Sequence, residues 1–337
     1  MSTKVTLTGS TGHVGIALAN VLCERGYSVR AVIHRRTAGL EGLPVQKIEA
    51  SLSDPESLRR AFSGSEIVFH AAAHISITRS DVAEVVKTNV TGTRNVIDAC
   101  RAVGVRRLVH FSSIEAFSPL PLDATLDESR NLEDGRTGSP YALSKANAET
   151  EVRKAIDEGM DAVILNPTAV VGPFDYRPSL MGRALIAFAT GGIPMLIDGG
   201  YDWVDVRDVA EGAVCAAERA SRGSRYLLGG RWASMGEIAR IICEVAGRKA
   251  PRLVCPYFVA RLGAPVSSFF SLLFAKEPLF TGYSLGALRG NRLISHQRAY
   301  RELGYQPRDL EETARDTWRW FTEKGLVTLP AAMPREA

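Results

Sequence analysis

The sequence predicts an α/β protein, a doubly wound parallel sheet covered by helices on both faces, with a smaller and less regular substrate lobe towards the C-terminus. Three observations predict it. Apolar runs of strand length alternate with helical runs from Lys4 to Leu165, and such alternation builds parallel sheets that bind ligands beyond the carboxyl ends of their strands. Gly9, Gly12 and Gly15 stand between the first apolar run and the first helical one. Tyr141 and Lys145 lie one helical turn apart in Ser139-Pro140-Tyr141-Ala142-Leu143-Ser144-Lys145. With 337 residues, 45% of them hydrophobic, the chain can bury a large core and form two lobes that share a cleft.

The elements follow in order. Lys4 to Thr8 reads as a buried strand, and the glycines open a helix through Ile16 to Leu22 that Gly26 ends. Val29 to Ile33 and Val45 to Glu49 are the next strands. Asp54 and Pro55 start a helix through Phe62, the one as a cap and the other as a first helical residue. Ile67 to His70 is a strand, Asp81 to Val103 a helix, Arg107 to Phe111 a strand, the Tyr141 segment a helix to Ile156, and Ala162 to Leu165 a strand. After Pro173 the rhythm breaks, with Pro178, Pro194, Pro251, Pro256, Pro265 and Pro278 separating short apolar pieces. Val204 to Ala210 and Tyr226 to Leu228 read as returns to the sheet, so the lobes are expected to interleave. Residues 1–172 with 203–230 would form the nucleotide-binding domain and 173–202 with 231–328 the substrate lobe, leaving 329–337 as a mobile tail.

Composition narrows the function. A net charge of +4 over 41 basic and 37 acidic residues leaves no basic tract for nucleic acid. The five cysteines are odd in number and have no CxxC spacing, which argues against a disulfide framework or a metal site. A strand beginning this close to Met1 leaves no room for a secretory signal, so a cytoplasmic location is expected. Tyr257 to Ala275 is nearly continuously apolar but is interrupted by Arg261 and Pro265. It reads as a helix lining the substrate cavity or resting on a membrane surface, not as a transmembrane span.

The stretch Gly9-Ser10-Thr11-Gly12-His13-Val14-Gly15 has the context of a phosphate-binding turn, in which backbone lacking Cβ atoms approaches a pyrophosphate at the positive end of a helix. His13 is expected to touch phosphate. The second strand ends in His34-Arg35-Arg36, with no carboxylate until Glu41. A guanidinium suits the extra phosphate of NADP, whereas NAD enzymes place an acid here, so NADP(H) is preferred and NAD(H) stays open. On one helix face, the Lys145 ammonium would favour the ionised form of Tyr141 and make it a proton donor and acceptor.

With these pieces in place, the chain resembles the extended short-chain dehydrogenase/reductase superfamily over nearly its whole length. Phe69-His70-Ala71-Ala72-Ala73 is similar to the family's fourth-strand segment and Thr88-Asn89-Val90-Thr91-Gly92-Thr93 to its Asn-bearing helix. Phe111-Ser112-Ser113 resembles its serine-bearing strand end and Pro167 to Phe174 the segment passing the nicotinamide. The wording is nearest the branch of dihydroflavonol 4-reductases and 3β-hydroxysteroid dehydrogenases. Ala169 stands where nucleotide-sugar epimerases usually carry Asn, and Ser51-Leu52 where the family usually begins with Asp.

The resemblance implies a Rossmann fold in which Ser113, Tyr141 and Lys145 are catalytic. It places Ser51, Leu52, Ala71, Ala72, Ala73, Pro167 and Val170 beside the cofactor, together with Tyr141, Lys145 and the glycine turn. His74, Ile75, Ser76, Thr168, Tyr176 and Trp203 would border the substrate, with Met181 and Phe258 as further walls. Asn89 would tie helix to sheet, and a homodimer through the helices carrying Asn95 and Tyr141 would be similar to many relatives. The expected function is hydride transfer between NADP(H) and a small carbonyl or alcohol. The alternatives are a nucleotide-sugar epimerase or dehydratase with transient oxidation, for which Arg177 and Arg183 could meet a phosphate, and a catalytically silent NADP-sensing module.

Overall fold

The computed structural model describes residues 2–34, 37–76, 81–136, 138–259 and 282–327. Its first part runs β1 (Lys4–Thr8), α1 (His13–Glu24), β2 (Ser28–Ile33), β3 (Gln46–Glu49), α2 (Pro55–Phe62), β4 (Ile67–His70), α3 (Val82–Val86), α4 (Gly92–Ala102), β5 (Arg107–Phe111), α5 (Pro140–Asp157) and β6 (Ala162–Pro167). The second runs β7 (Ala169–Val171), α6 (Leu180–Thr190), β8 (Met195–Ile197), β9 (Gly200–Asp205), α7 (Val206–Arg219), β10 (Arg225–Leu228), β11 (Arg231–Ser234), α8 (Met235–Val245), β12 (Leu253–Cys255), α9 (Gly282–Ala287), α10 (Gln297–Leu303) and α11 (Leu310–Glu323).

Seven strands form the main sheet in the order β10-β6-β5-β4-β1-β2-β3, every pair parallel. The order reverses between β1 and β4, and that switch point is where such a sheet leaves a crevice for a ligand. Strands buried on both faces need continuous apolar runs, as β4 and β6 supply. One face packs on α1, α7 and α10 through Leu18, Leu22, Val209, Ala213 and Leu303. The other packs on α2, α4 and α5 through Phe62, Val96 and Val152. Asp54 caps α2 by accepting from the amides of Glu56 and Ser57, with Pro55 behind it.

The helix expected over 81–103 is instead α3 and α4 joined by a π-turn at Lys87–Thr91, with Asn89 buried at its centre. Tyr226 to Leu228 does return to the main sheet, as β10 beside β6. Val204 to Ala210 does not. Val204 and Asp205 end β9 in a separate three-stranded sheet, order β11-β9-β7, and Val206 begins α7. Its Val-Asp-Val-Arg-Asp-Val wording alternates like a strand, but Val206, Val209, Ala210, Ala213 and Val214 bury at helical spacing against the first core. The side chain of Asp205 accepts from the Arg207 amide at 2.8 Å and so stops the strand and starts the helix.

A second core holds Leu185, Phe188, Trp203, Ile238, Trp318 and Phe321. Among the described residues no helix is long and apolar enough to cross a membrane. Most of the apolar segment 257–275, and all of 329–337, lie outside the described residues.

Candidate active site

The carboxyl ends of β1, β4, β5 and β6 converge on one edge of the sheet, and the candidate site residues gather there in three layers: a glycine turn, a loop after β4, and the N-terminal turns of α5. Gly9 has φ +71°, and a Cβ on it would lie 2.5 Å from the Ala72 amide nitrogen. A Cβ on Gly15 would lie 2.0 Å from the Gly9 carbonyl oxygen. Side chains are thus excluded from a cradle at the start of α1, where no side chain caps the first-turn amides. A cradle of this shape with unclaimed N–H groups fits a dinucleotide pyrophosphate.

Other residues of the turn are committed to the fold. The Ser10 hydroxyl donates to the Val32 carbonyl at 2.6 Å, while Thr11 and Val14 are half-buried. The His13 ring, expected on phosphate, donates through Nε2 to the Pro173 carbonyl at 2.9 Å, which leaves its backbone amide for the turn. His34 is exposed at the end of β2, and Arg35 and Arg36 lie outside the described residues. The Ser51 hydroxyl accepts from the Ser53 amide at 3.3 Å, and the Leu52 carbonyl from Asn95 at 2.7 Å.

After β4, the Ala71 amide extends the pairing to Thr8 at 3.2 Å, and Ala72 faces Gly9. Ala73 is exposed. Asn89 then clasps the loop. Its Oδ1 accepts from the His74 amide at 2.7 Å, while its Nδ2 donates to the His74 carbonyl at 3.0 Å and to the Ser144 hydroxyl at 2.9 Å. Replacing Asn89 with Ala strands the His74 amide and carbonyl and leaves the Ser144 hydroxyl only its bond to the Tyr141 carbonyl, which should lower stability by roughly 1–3 kcal/mol, read as a lower Tm in thermal unfolding. Ile75 is 63% exposed, and the Ser76 hydroxyl donates to Asp81 at 3.0 Å.

Helix α5 starts on Ser139, whose Oγ accepts from the Ala142 amide at 3.0 Å, followed by Pro140 in the first turn. This start brings Tyr141 close to Ser113, two residues beyond β5, near enough for the serine side chain to act on the phenol. Burial and the nearby Glu115 carboxylate hold the Tyr141 phenol above its ordinary pKa, against the pull of Ser113. Lys145, one turn further along α5, is tied to the end of β5. Its ammonium, 3% exposed, donates to the Phe111 carbonyl at 2.6 Å. Burial lowers its pKa to about 8, with Glu149 opposing.

Of the candidate substrate residues, Thr168 is buried and its amide donates to the Leu228 carbonyl at 3.2 Å. Tyr176 packs edge-on against Trp320 at 5.0 Å. Trp203 is not at the cleft. It is 2% exposed in the second core, with its indole N–H on the Ala233 carbonyl at 3.1 Å. Tyr201, T-shaped against it at 5.6 Å, has its phenol pKa raised by burial and, like that of Tyr141, by Glu115. Pro167 closes β6, and Val170 of β7 packs on the first core. Sequence reading passed over Glu115, Glu149 and Asn166. Glu149 could have been found, because it extends the Tyr141, Lys145 spacing by one further turn; Asn166 carried no local signal.

Comparison with known proteins agrees with this geometry. The profile of the NAD dependent epimerase/dehydratase family matches residues 5–229. Sterol demethylase protein B of Methylococcus capsulatus is 36% identical over 327 residues, covering 95% of this chain and 99% of that protein. The 2-alkyl-3-oxoalkanoate reductase of Stenotrophomonas maltophilia is 30% identical, covering 93% and 97%. The crystal structure of gox2253 superposes with a TM-score of 0.85 at 33% identity, covering 96% of this chain and 99% of that one. With the phosphate cradle, the Ser113–Tyr141 pair and the buried lysine in place, the chain belongs to the NAD-dependent epimerase/dehydratase family within the extended short-chain dehydrogenase/reductases, and is an NAD(P)-dependent enzyme.

Proposed function

We propose that this enzyme is an NADP(H)-dependent oxidoreductase that moves hydride between the nicotinamide and a carbonyl or secondary alcohol of an apolar or mildly polar small molecule. The observation that carries the reading is the Ser113–Tyr141 hydroxyl pair at the mouth of β5, on the same sheet edge as the glycine cradle. The bound cofactor supplies or accepts the hydride. Ser113 hydrogen-bonds the substrate oxygen as it gains negative charge, and Tyr141 delivers the proton to it. In the other direction the ionised phenol takes the alcohol proton. The Lys145 ammonium holds the nicotinamide ribose and adds positive charge behind the tyrosine.

The preference for NADP rests on the basic end of β2. The nearest acid, Glu41, accepts from the Gly39 amide at 2.7 Å and so turns back on its own loop, away from the place of a ribose ligand. The substrate class is supported by relatives named for a sterol and for 2-alkyl-3-oxoalkanoates, both with apolar bodies. Ala169 also removes the amide with which sugar-nucleotide enzymes of this fold hold their substrate.

The test is a fluorescence titration with NADPH and NADH, followed by turnover on aromatic, steroid-like and aliphatic ketones. Tighter binding of NADPH and ketone-dependent loss of its absorbance are expected. Equal binding of both cofactors would remove the NADP preference, and tight binding without net turnover on any ketone would replace the reductase by an epimerase or dehydratase.

A further inference from the structure

We propose that Glu149 is a positioning residue for the catalytic set: its one buried carboxylate is the counter-charge of Lys145 and, through Asn166, the anchor of Ser113. The inference rests on the reading of Ser113, Tyr141 and Lys145 given above.

Glu149 stands on α5 one turn beyond Lys145 and has no solvent exposure. Its Oε1 accepts from Arg225 at 2.9 Å and from Arg153 at 3.0 and 3.2 Å. Its Oε2 accepts from Asn166 Nδ2 at 2.9 Å, and the same nitrogen donates to the Ser113 carbonyl at 3.0 Å. One carboxylate therefore reaches the backbone of the catalytic serine through a single side chain. Arg225, on the edge strand β10, is itself held by the Glu128 and Arg130 carbonyls and lies 4.4 Å over the Phe117 ring.

Buried ion pairs of this kind seldom stabilise a fold more than apolar residues of the same volume would. A role for the network is found in what surrounds it. Lys145 is faced from β4 by His70 and from β5 by His110, and burial together with the Lys145 charge holds both imidazoles neutral. Glu115 acts on Tyr141 from the other side of the serine. Glu149, one turn along α5 from Lys145 and ion-paired with Arg153 and Arg225, is thus the acid that opposes loss of the Lys145 proton among the described residues. Removing its charge while keeping its shape should let burial strip Lys145 at lower pH.

The test compares the parent protein with Glu149→Gln, with Glu149→Gln/Arg225→Met, which leaves no buried arginine unpaired, and with Asn166→Ala. The fraction of free Lys145 amine in the cofactor-free protein is read by competitive acetylation across pH and mass spectrometry. The parent midpoint is expected near 8. In Glu149→Gln and in the double variant it should fall by about one pH unit or more, tenfold in the protonation equilibrium. Asn166→Ala should keep the parent midpoint but lose about tenfold in kcat at unchanged NADPH affinity, the order expected for a misplaced hydrogen-bond donor. An unchanged midpoint in the double variant would overturn the counter-charge, and unchanged kcat in Asn166→Ala would overturn the anchor. The labelling needs no turnover, so an inactive parent enzyme would count against the proposed reaction and leave the counter-charge tested separately.

Discussion

Tyr141→Phe is expected to lose roughly 10²–10⁴-fold in kcat, the usual contribution of a general acid, while binding NADPH as tightly as the parent. The substitution removes one oxygen and keeps the ring that fills the start of α5, and Ser113 retains its hydrogen bond from the Glu115 amide at 3.1 Å. Nothing in the glycine cradle changes. Turnover at saturating ketone and NADPH, beside a fluorescence titration, checks both halves. A variant retaining a tenth or more of the parent rate would mean that the proton comes from elsewhere, with Glu115 the first group to examine. The pH dependence has a definite sign. Because burial and Glu115 hold the phenol above its ordinary pKa, the protonated donor needed for reduction persists through neutral pH. Alcohol oxidation, which needs the phenolate, should accelerate as pH rises.

Gly15→Ala is expected to lose nucleotide binding and stability together. Gly15 is helical, where Ala is intrinsically favoured by about 1 kcal/mol over Gly. Against this stands a Cβ 2.0 Å from the Gly9 oxygen and 2.8 Å from its carbon, backbone atoms that cannot rotate aside. Forcing a carbon into so tight a place costs typically 1–3 kcal/mol, and here the displaced group is the turn that would face the pyrophosphate. Steric exclusion should therefore win. The expected result is a lower Tm and NADPH affinity reduced at least about tenfold, the equivalent of 1.4 kcal/mol. A stable variant that binds NADPH like the parent would remove the cofactor from this turn.

Much of the nucleotide-binding half was legible along the chain because its signals are local. Buried parallel strands require apolar runs, helices require caps and a 3.6-residue period, and the spacing of Tyr141 and Lys145 places both on one face of α5. Where two periods coincide the reading fails. Val204 to Ala210 alternates like a strand, and only the burial of Val209, Ala213 and Val214 against the first core shows that it is mostly helix. Trp203 is another case: an aromatic in an irregular lobe suits a pocket wall as well as a core, and packing against Tyr201 and Ala233 put it in the core.

The alternation of strands and helices up to β6, the glycine turn that opens α1 and the placing of Tyr141 and Lys145 on one face of α5 were determined by the sequence alone, since each depends on residues close together in the chain. The charge environment was decided only by tertiary structure. Lys145 turns to the Phe111 carbonyl, Glu115 comes to act on Tyr141, and Glu149 gathers Asn166 and Arg225 from strands 17 and 76 residues further on. Such contacts have no sequence period, because they arise where strand ends distant in the chain are brought to one edge of a sheet, and burial there decides how strongly each charge is felt.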